Sequence, residues 1–410
     1  MLLGFLLRRT ITIGTLRVVD TRGTTHTFGG GDNGRIVTIK LHDPALEYKL
    51  FFNPRLYLGE AFMAGGFTVE DGDIYDFLLF MGENIAKAPR SIVSPIHQGF
   101  GHAFRMFQQY NPLGTARKNV AHHYDLSDTL YELFLDVDRQ YSCAYFTEPG
   151  QTLEDAQANK KRHLAAKLLL QPGQKVLDIG SGWGGLAIYL AQEADVSVTG
   201  LTLSTEQLKV SERRAAAAGL ADRVKFFLRD YREEKGRYDR IVSVGMFEHV
   251  GVVHYRAFFR QLKENLTEDG VALVHAIGRN EGPGTTNPWL RKYIFPGGYS
   301  PALSEVVPVV ERVGMWITDV EILRLHYAET LKEWRARFNV NRQRIRDLYD
   351  ERFCRMWDFY LAGSEVAFRW GGHLIFQMQI AKQVDTLPIT RNYITDWERS
   401  HIPPRAERAA

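Results

Sequence analysis

The chain is expected to fold as an α/β protein, a mostly parallel sheet with helices on both faces, preceded by a small α+β N-terminal domain. Three observations lead there. Strand-like and helix-like stretches alternate from Val176 to Leu325, and repeated strand–helix units build a parallel sheet. The first strand, Val176-Leu177-Asp178-Ile179, breaks into Gly180-Ser181-Gly182-Trp183-Gly184-Gly185 and resumes as a helix at Leu186. A late apolar run, His373 to Lys382, follows a long helical region and is expected to join the sheet as an antiparallel strand.

The remaining expected strands are Val196–Leu203, Val224–Asp230, Tyr238–Gly245, Val271–Gly278 and Ile317–Leu325. Leu186–Gln192, Glu206–Ala218, Tyr255–Leu266 and Leu303–Val313 read as the helices between them. Ahead of the sheet, Thr152 to Leu170 reads as a helix with Leu153, Ala156, Leu164, Lys167 and Leu168 in a partly amphipathic pattern, stopped by Pro172-Gly173.

Earlier still the signals are of strands and turns. Thr15 to Asp20 is β-rich, Gly29 to Gly34 is a loop, and Arg35 to Leu41 alternates Ile36, Thr38 and Lys40 against Val37, Ile39 and Leu41. A helical run surrounds Ile74 to Met81. This gives a division into a small domain over 1–90, a linker over 91–120 and a catalytic domain over 121–400. The apolar start, Met1 to Leu7, precedes Arg8-Arg9 and has no small-residue cleavage site. A short helix packed on its own domain is favoured there over a membrane anchor, with neither excluded.

At 410 residues the chain has room for two domains. A net charge of +3 is too small to argue for nucleic acid as a partner. Two distant cysteines, Cys143 and Cys354, form no metal or disulfide framework, which fits a reduced, cytoplasmic compartment. No apolar run is long enough to span a bilayer. His122 and His123 face different directions on a helix and lack a matching cluster of ligands. Local packing is favoured for them over a metal site.

The glycine turn carries the chemistry. Gly180 and Gly182 let the backbone turn sharply and approach a ligand, and the next helix offers its free N–H groups. A Walker loop is excluded because no Gly-Lys-Ser/Thr follows. A dinucleotide site prefers an acid at the end of the second strand. Gly200-Leu201-Thr202-Leu203-Ser204 has none, although Glu206 comes just after. Asp178 on the first strand followed by Gly-x-Gly is the arrangement usual for S-adenosylmethionine in methyltransferases.

Further stretches turn this pattern into a family resemblance: Tyr141-Ser142-Cys143-Ala144-Tyr145-Phe146, Ser243 to Gly251 with Glu248-His249 inside it, Val274-His275-Ala276-Ile277-Gly278, and Tyr293 to Gly298. With the glycine turn and Gly200 to Gln207, they resemble the cyclopropane fatty acid synthases and their mycolic-acid relatives, from about His122 to Gln379. The first hundred or so residues resemble, more loosely, the extra N-terminal domain of the phospholipid-acting branch, a candidate lipid-binding element.

The resemblance implies a Rossmann-like S-adenosylmethionine-dependent methyltransferase fold, with S-adenosylmethionine and bicarbonate as cofactors and no metal. Gly180 and Gly182 would approach the methionine portion beside Asp178, with Tyr141 and Ser142 near its carboxylate. Thr202, Leu203 and Gln207 would lie along the ribose, and Asp230 and Tyr231 would flank the adenine. Cys143, Glu248, His275, Tyr327 and the Ile277 backbone match the bicarbonate site. Methyl transfer to an alkene leaves a carbocation, so a base must take a proton from the new methyl group in a site that excludes water. Taken singly, each of these residues also has an ordinary structural reading; the set in matching context is what carries the assignment.

Relatives often carry Cys where this chain has Ser364, which argues against an essential thiol there; a helix salt bridge is the ordinary reading of Glu365. The phospholipid surface is the implied partner, at the inner face of the membrane, and a homodimer is compatible with it. Arg335, Arg337, Arg342, Arg344, Arg346, Arg352 and Arg355 form a basic run suited either to solvent or to anionic headgroups. Trp289, Tyr293, Phe295, Trp357, Phe359 and Phe368 supply apolar surface for an acyl tunnel or for a core. The leading expectation is methylene transfer to a cis double bond of a phospholipid acyl chain. A methyl- or methylene-branched product is the alternative, and a non-catalytic lipid-binding protein ranks last.

Overall fold

The computed structural model of the protein describes residues 3–30, 34–88 and 127–402. The expected linker over 91–120 and the pair His122-His123 lie outside the described residues. Packing divides the chain into two compact units that interleave in sequence.

The first unit joins residues up to 88 with Thr285–Pro296 and Leu331–His373. The block expected as one catalytic stretch therefore contributes two segments to it. Its sheet has the order β2-β1-β3-β4, with β1 (Thr15–Val19), β2 (Thr25–Gly29), β3 (Ile36–Leu41) and β4 (Phe67–Val69). β1 pairs parallel with β3 and antiparallel with β2, and β3 pairs antiparallel with β4. The alternation expected in β3 is present, with Val37, Ile39 and Leu41 all buried. Helix Leu3–Thr10 buries Leu3 and Leu7 in the same core, the packed-helix reading, and leaves Phe5 exposed.

Sequence patterning did not single out helices Leu46–Phe52 and Pro54–Met63. They are short and separated only by Asn53, whose φ of −148° breaks the spiral before Pro54 starts the next. Helix Ile74–Lys87 is capped by Asp73, whose side chain accepts from the Asp76 N–H while Asp76 accepts from the Asp73 N–H. It packs on helix Glu351–Arg369.

The second unit holds a seven-stranded sheet of order β10-β11-β9-β8-β5-β6-β7. The strands are β5 (Lys175–Ile179), β6 (Ser197–Thr202), β7 (Val224–Leu228), β8 (Tyr238–Val244), β9 (Leu266–Arg279), β10 (Trp316–Leu323) and β11 (His373–Ala381). β9, β8, β5, β6 and β7 run parallel, and β11 pairs antiparallel with β10, as the late strand was expected to. β9 starts earlier than Val271 because its register with β8 shifts between Tyr238 and Arg240. That irregularity accommodates the extra residues between Leu266 and Val271.

Period-two alternation divides the sheet's side chains between two layers. Leu177, Ile179, Ile241, Val274 and Ala276 pack with Phe247, Phe258 and Phe376 on one face. Val176, Val198, Val242 and Leu273 pack on the other with Leu186, Leu190, Leu164 and Leu168 from helices. Each large aliphatic side chain buried this way contributes about 1.5–3 kcal/mol. The chain runs from β5 outward through β6 to β7, then returns to place β8 on the other side of β5. Such a reversal opens a crevice at the carboxyl ends of the strands.

Candidate active site

A cleft occupies that crevice. Its walls come from the ends of β5 (Asp178 to Trp183), β6 (Leu201 to Leu203), β7 (Arg229 to Arg232) and β8 (Val244 to Met246), closed by the segment Arg139 to Ser142. Every residue expected to hold the cofactor lines it: Tyr141, Ser142, Asp178, Gly180, Gly182, Thr202, Leu203, Gln207, Asp230 and Tyr231.

The turn works as the glycines require. Gly180 and Gly182 have φ of 85° and 54°, and the Gly180 and Ser181 N–H groups both donate to the Leu201 carbonyl at 2.9 Å, tying the turn to β6. A Cβ at Gly180 would stand 2.9 Å from Met246 Cβ, whereas one at Gly182 would meet nothing within 4 Å. Gly182 thus leaves open space on the ligand side.

Most polar groups of the cleft are held by protein neighbours. Thr202 Oγ1 donates to Gln207 Oε1 at 2.8 Å and accepts from the Ser204 N–H. Asp230 caps the turn Tyr231–Glu233 and takes the Arg232 guanidinium through both oxygens, at 2.8 Å each. Tyr231 meets Phe258 edge-on. Asp178 is the exception: it is 1 % exposed, and its Oδ2 has no partner among the described residues. Burial raises its pKa to about 7. Such a group calls for a donor from the ligand, and the ammonium of an amino-acid moiety fits it.

Of the five residues expected to hold the anion, three lie close together along the backbone. Glu248 lies in the turn Phe247–His249, and its Oε1 accepts from the Ile277 N–H at 2.6 Å. His275 and Ile277 share one side of β9, two residues apart. The Gly245 N–H at the end of β8 donates to the His275 carbonyl, which locks the two strand ends together. The Gln377 amide reaches His275 Nδ1 at 3.2 Å, so the ring proton belongs on Nε2. Neither His275 Nε2 nor Glu248 Oε2 has a partner among the described residues, and both are buried. Burial lifts Glu248 to about 7 and holds His275 well below the usual imidazole range, hence neutral.

Cys143 and Tyr327 are joined through another set of bonds. The Ala144 N–H donates to Thr330 Oγ1 at 3.0 Å and the Phe146 N–H to His326 Nδ1 at 3.1 Å, binding the Cys143 segment to the first turn of the helix that carries Tyr327. Burial pushes the Cys143 thiol far up, so it is a neutral thiol, not a thiolate nucleophile.

Several neighbours were not anticipated. Lys160 donates to Gln140 Oε1 and Ser142 Oγ, and Gln157 Nε2 donates to the Gln140 and Ser142 carbonyls. The available signal was a polar stripe, Gln157, Lys160, His163 and Lys167, repeating every three or four residues along helix Leu153–Leu168. All four are buried.

In the first unit, part of the basic run is taken up in ion pairs, while Arg344, Arg346 and Arg352 are exposed. Arg335 bonds Glu365, Arg342 bonds Asp358 and Glu351, and Arg355 bonds Glu351. Glu365 is fully buried; it accepts from Tyr75 Oη at 2.7 Å and from Arg369 at 2.9 Å, the helix salt bridge expected. Trp289, Trp357 and Phe368 are core residues, and Cys354 is buried and unbridged. Nothing in the structure explains Ser364. Among the described residues there is no cluster suited to a metal and no helix long and apolar enough to cross a membrane.

Fold and cleft together define an α/β protein of the methyltransferase class. Residues 112–378 match the family described as mycolic acid cyclopropane synthetase. A Pseudomonas putida protein described as a probable fatty acid methyltransferase is 37% identical over 84% of this chain and 87% of its own length. The cyclopropane-fatty-acyl-phospholipid synthase of Escherichia coli K12 is 34% identical over 85% and 88%. A solved mycolic acid cyclopropane synthase complexed with SAH and CTAB superposes with a TM-score of 0.62 at 34% identity, covering 66% of this chain and 99% of that one. The chain belongs to the mycolic acid cyclopropane synthetase family, S-adenosylmethionine-dependent C-methyltransferases that include the cyclopropane synthases.

Proposed function

We propose that this protein is a cyclopropane-fatty-acyl-phospholipid synthase, acting at the inner face of the membrane on the cis double bond of an unsaturated phospholipid acyl chain. The observation that carries the reading is that Glu248 Oε2 and His275 Nε2 are both buried without a partner among the described residues, as is Asp178 Oδ2 in the cleft. S-Adenosylmethionine would supply an electrophilic methyl group, and bicarbonate the base for the proton that ring closure releases. Asp178, Tyr141 and Ser142 would hold the amino-acid end of the cofactor, and Thr202, Gln207, Asp230 and Tyr231 the nucleoside. Glu248, His275, Cys143, Tyr327 and the Ile277 backbone would hold the anion.

The chain's own chemistry suits that task. Neutral His275 offers an N–H to an oxyanion, and Glu248, when ionised, accepts from a hydroxyl on it. Ile277 keeps Glu248 oriented through the 2.6 Å bond. Apolar walls from Met246 and Val250 limit water near a reactive cation. The 37% identity to the Pseudomonas putida relative favours a second reading, a methyl- or methylene-branched product. Incubation with S-adenosylmethionine carrying a ¹³C-methyl group and vesicles of a monounsaturated phospholipid separates them. NMR of the released acyl chains gives labelled cyclopropane signals on the first reading and labelled methyl or exomethylene signals on the second. No label in the lipid sinks both.

A further inference from the structure

Two lysines lie fully buried on one face of helix Leu153–Leu168, seven residues apart, and they are treated differently. Lys167 is paired with carboxylates, Glu321 and Asp319. Among the described residues Lys160 has only neutral oxygens within reach, Gln140 Oε1 at 2.5 Å and Ser142 Oγ at 2.8 Å, and no carboxylate stands in ion-pair range of it. A buried ammonium without a counter-ion is costly, and the protein leaves this one facing the back of the cleft wall. Ser142 and Gln140 line the cleft; Lys160 does not. With its oxygen engaged by the ammonium, the Ser142 hydroxyl has its proton free to donate elsewhere.

We propose that Lys160 is a positioning residue for the cofactor: it turns the Ser142 O–H into the cleft and supplies the positive charge that the carboxylate of an S-adenosyl amino acid neutralises there. This rests on the S-adenosylmethionine reading above. The surroundings agree with a charge awaiting a partner. Asp136 and Asp138 of the preceding loop, Asp178 of β5, Cys143, His275 of β9 and Lys161 on the same helix are the titratable groups that face it. Their sum does not offset burial, which lowers the lysine to about 8. Ligand binding would restore the charged form.

The test compares two ligands that differ in the amino-acid group, S-adenosylhomocysteine and 5′-methylthioadenosine, by calorimetry on the full chain. Lys160→Met is expected to weaken S-adenosylhomocysteine roughly tenfold to a hundredfold and methylthioadenosine by less than about threefold, with Lys160→Arg recovering part of the loss. Ser142→Ala should give a similar loss that does not add to that of Lys160→Met. Equal losses for both ligands, or none for either, overturn the proposal. Should Lys160→Met not fold, the wild type decides: its affinity for S-adenosylhomocysteine alone must fall as pH rises through about 8, the value to which burial lowers Lys160, and a flat profile overturns the proposal. A wild type that binds neither ligand removes the S-adenosyl reading and this proposal with it; one that binds S-adenosylhomocysteine and is indifferent to Lys160→Met removes the proposal alone.

Discussion

The two halves of the site satisfy their polar groups in opposite ways. In the cofactor cleft Thr202 holds Gln207, Arg232 holds Asp230 and Lys160 holds Ser142, so the mould is set before a ligand arrives. At the proposed base site Glu248 Oε2, His275 Nε2 and Gln377 Oε1 are buried without partners among the described residues. Apart from Asp178, the cleft is preorganised by the protein, whereas the proposed base site would be completed by a guest. Loss of a cleft contact should therefore act on affinity, and loss of a base-site residue on turnover.

The largest test of that contrast is Glu248→Gln. It should lower kcat by about 10²–10⁴-fold while S-adenosylhomocysteine affinity stays within about threefold of wild type. A parallel collapse of affinity would merge the two halves. Asp178→Asn should do the reverse, weakening the cofactor roughly tenfold or more with a smaller effect on kcat. It should also stabilise the ligand-free protein. Burial raises the folded pKa to about 7, so the folded state keeps its proton longer than the unfolded one. Stability is then lost as pH rises from the unfolded value through the folded one. At pH 8 the asparagine variant should be more stable to urea by on the order of 2–4 kcal/mol, and at pH 4 the difference should nearly vanish.

A third test is the pH dependence of turnover. Burial raises Glu248 to about 7, and the proposed role needs its carboxylate. Activity should fall as pH drops through that value, with the acid limb absent from the residual activity of Glu248→Gln. The smallest effect is expected from Thr202→Val, which removes one bond to Gln207. An increase in cofactor KM of about two- to tenfold, without a change in kcat, would place Gln207 where the mould needs it.

The contrast also explains what could be read from sequence. The cleft is local: Asp178, Gly180 and Gly182 sit within one strand and its turn, and period-two and period-3.6 patterns placed the strands around them. Glu248 and His275 belong to short stretches whose meeting depends on strand order, so family resemblance and not periodicity brought them together. The buried stripe Gln157, Lys160, His163 and Lys167 was hidden because polar residues at helical spacing ordinarily mark a solvated face. Only tertiary partners turn that face inward, such as Glu321 and Glu398 on either side of His163. The first unit was legible in β3 but not in its composition. Whether residues 331–373 pack with the N-terminal sheet is decided by helix faces that no local pattern assigns.

A small oxyanion is proposed to complete the site around Glu248 and His275. The most direct measurement of this is the rate of methyl incorporation into monounsaturated phospholipid vesicles in buffer stripped of carbon dioxide, with bicarbonate then added back. A rate that falls on stripping and recovers in a saturable manner with bicarbonate, in wild type and not in Glu248→Gln, is the predicted result. A rate indifferent to bicarbonate would contradict it.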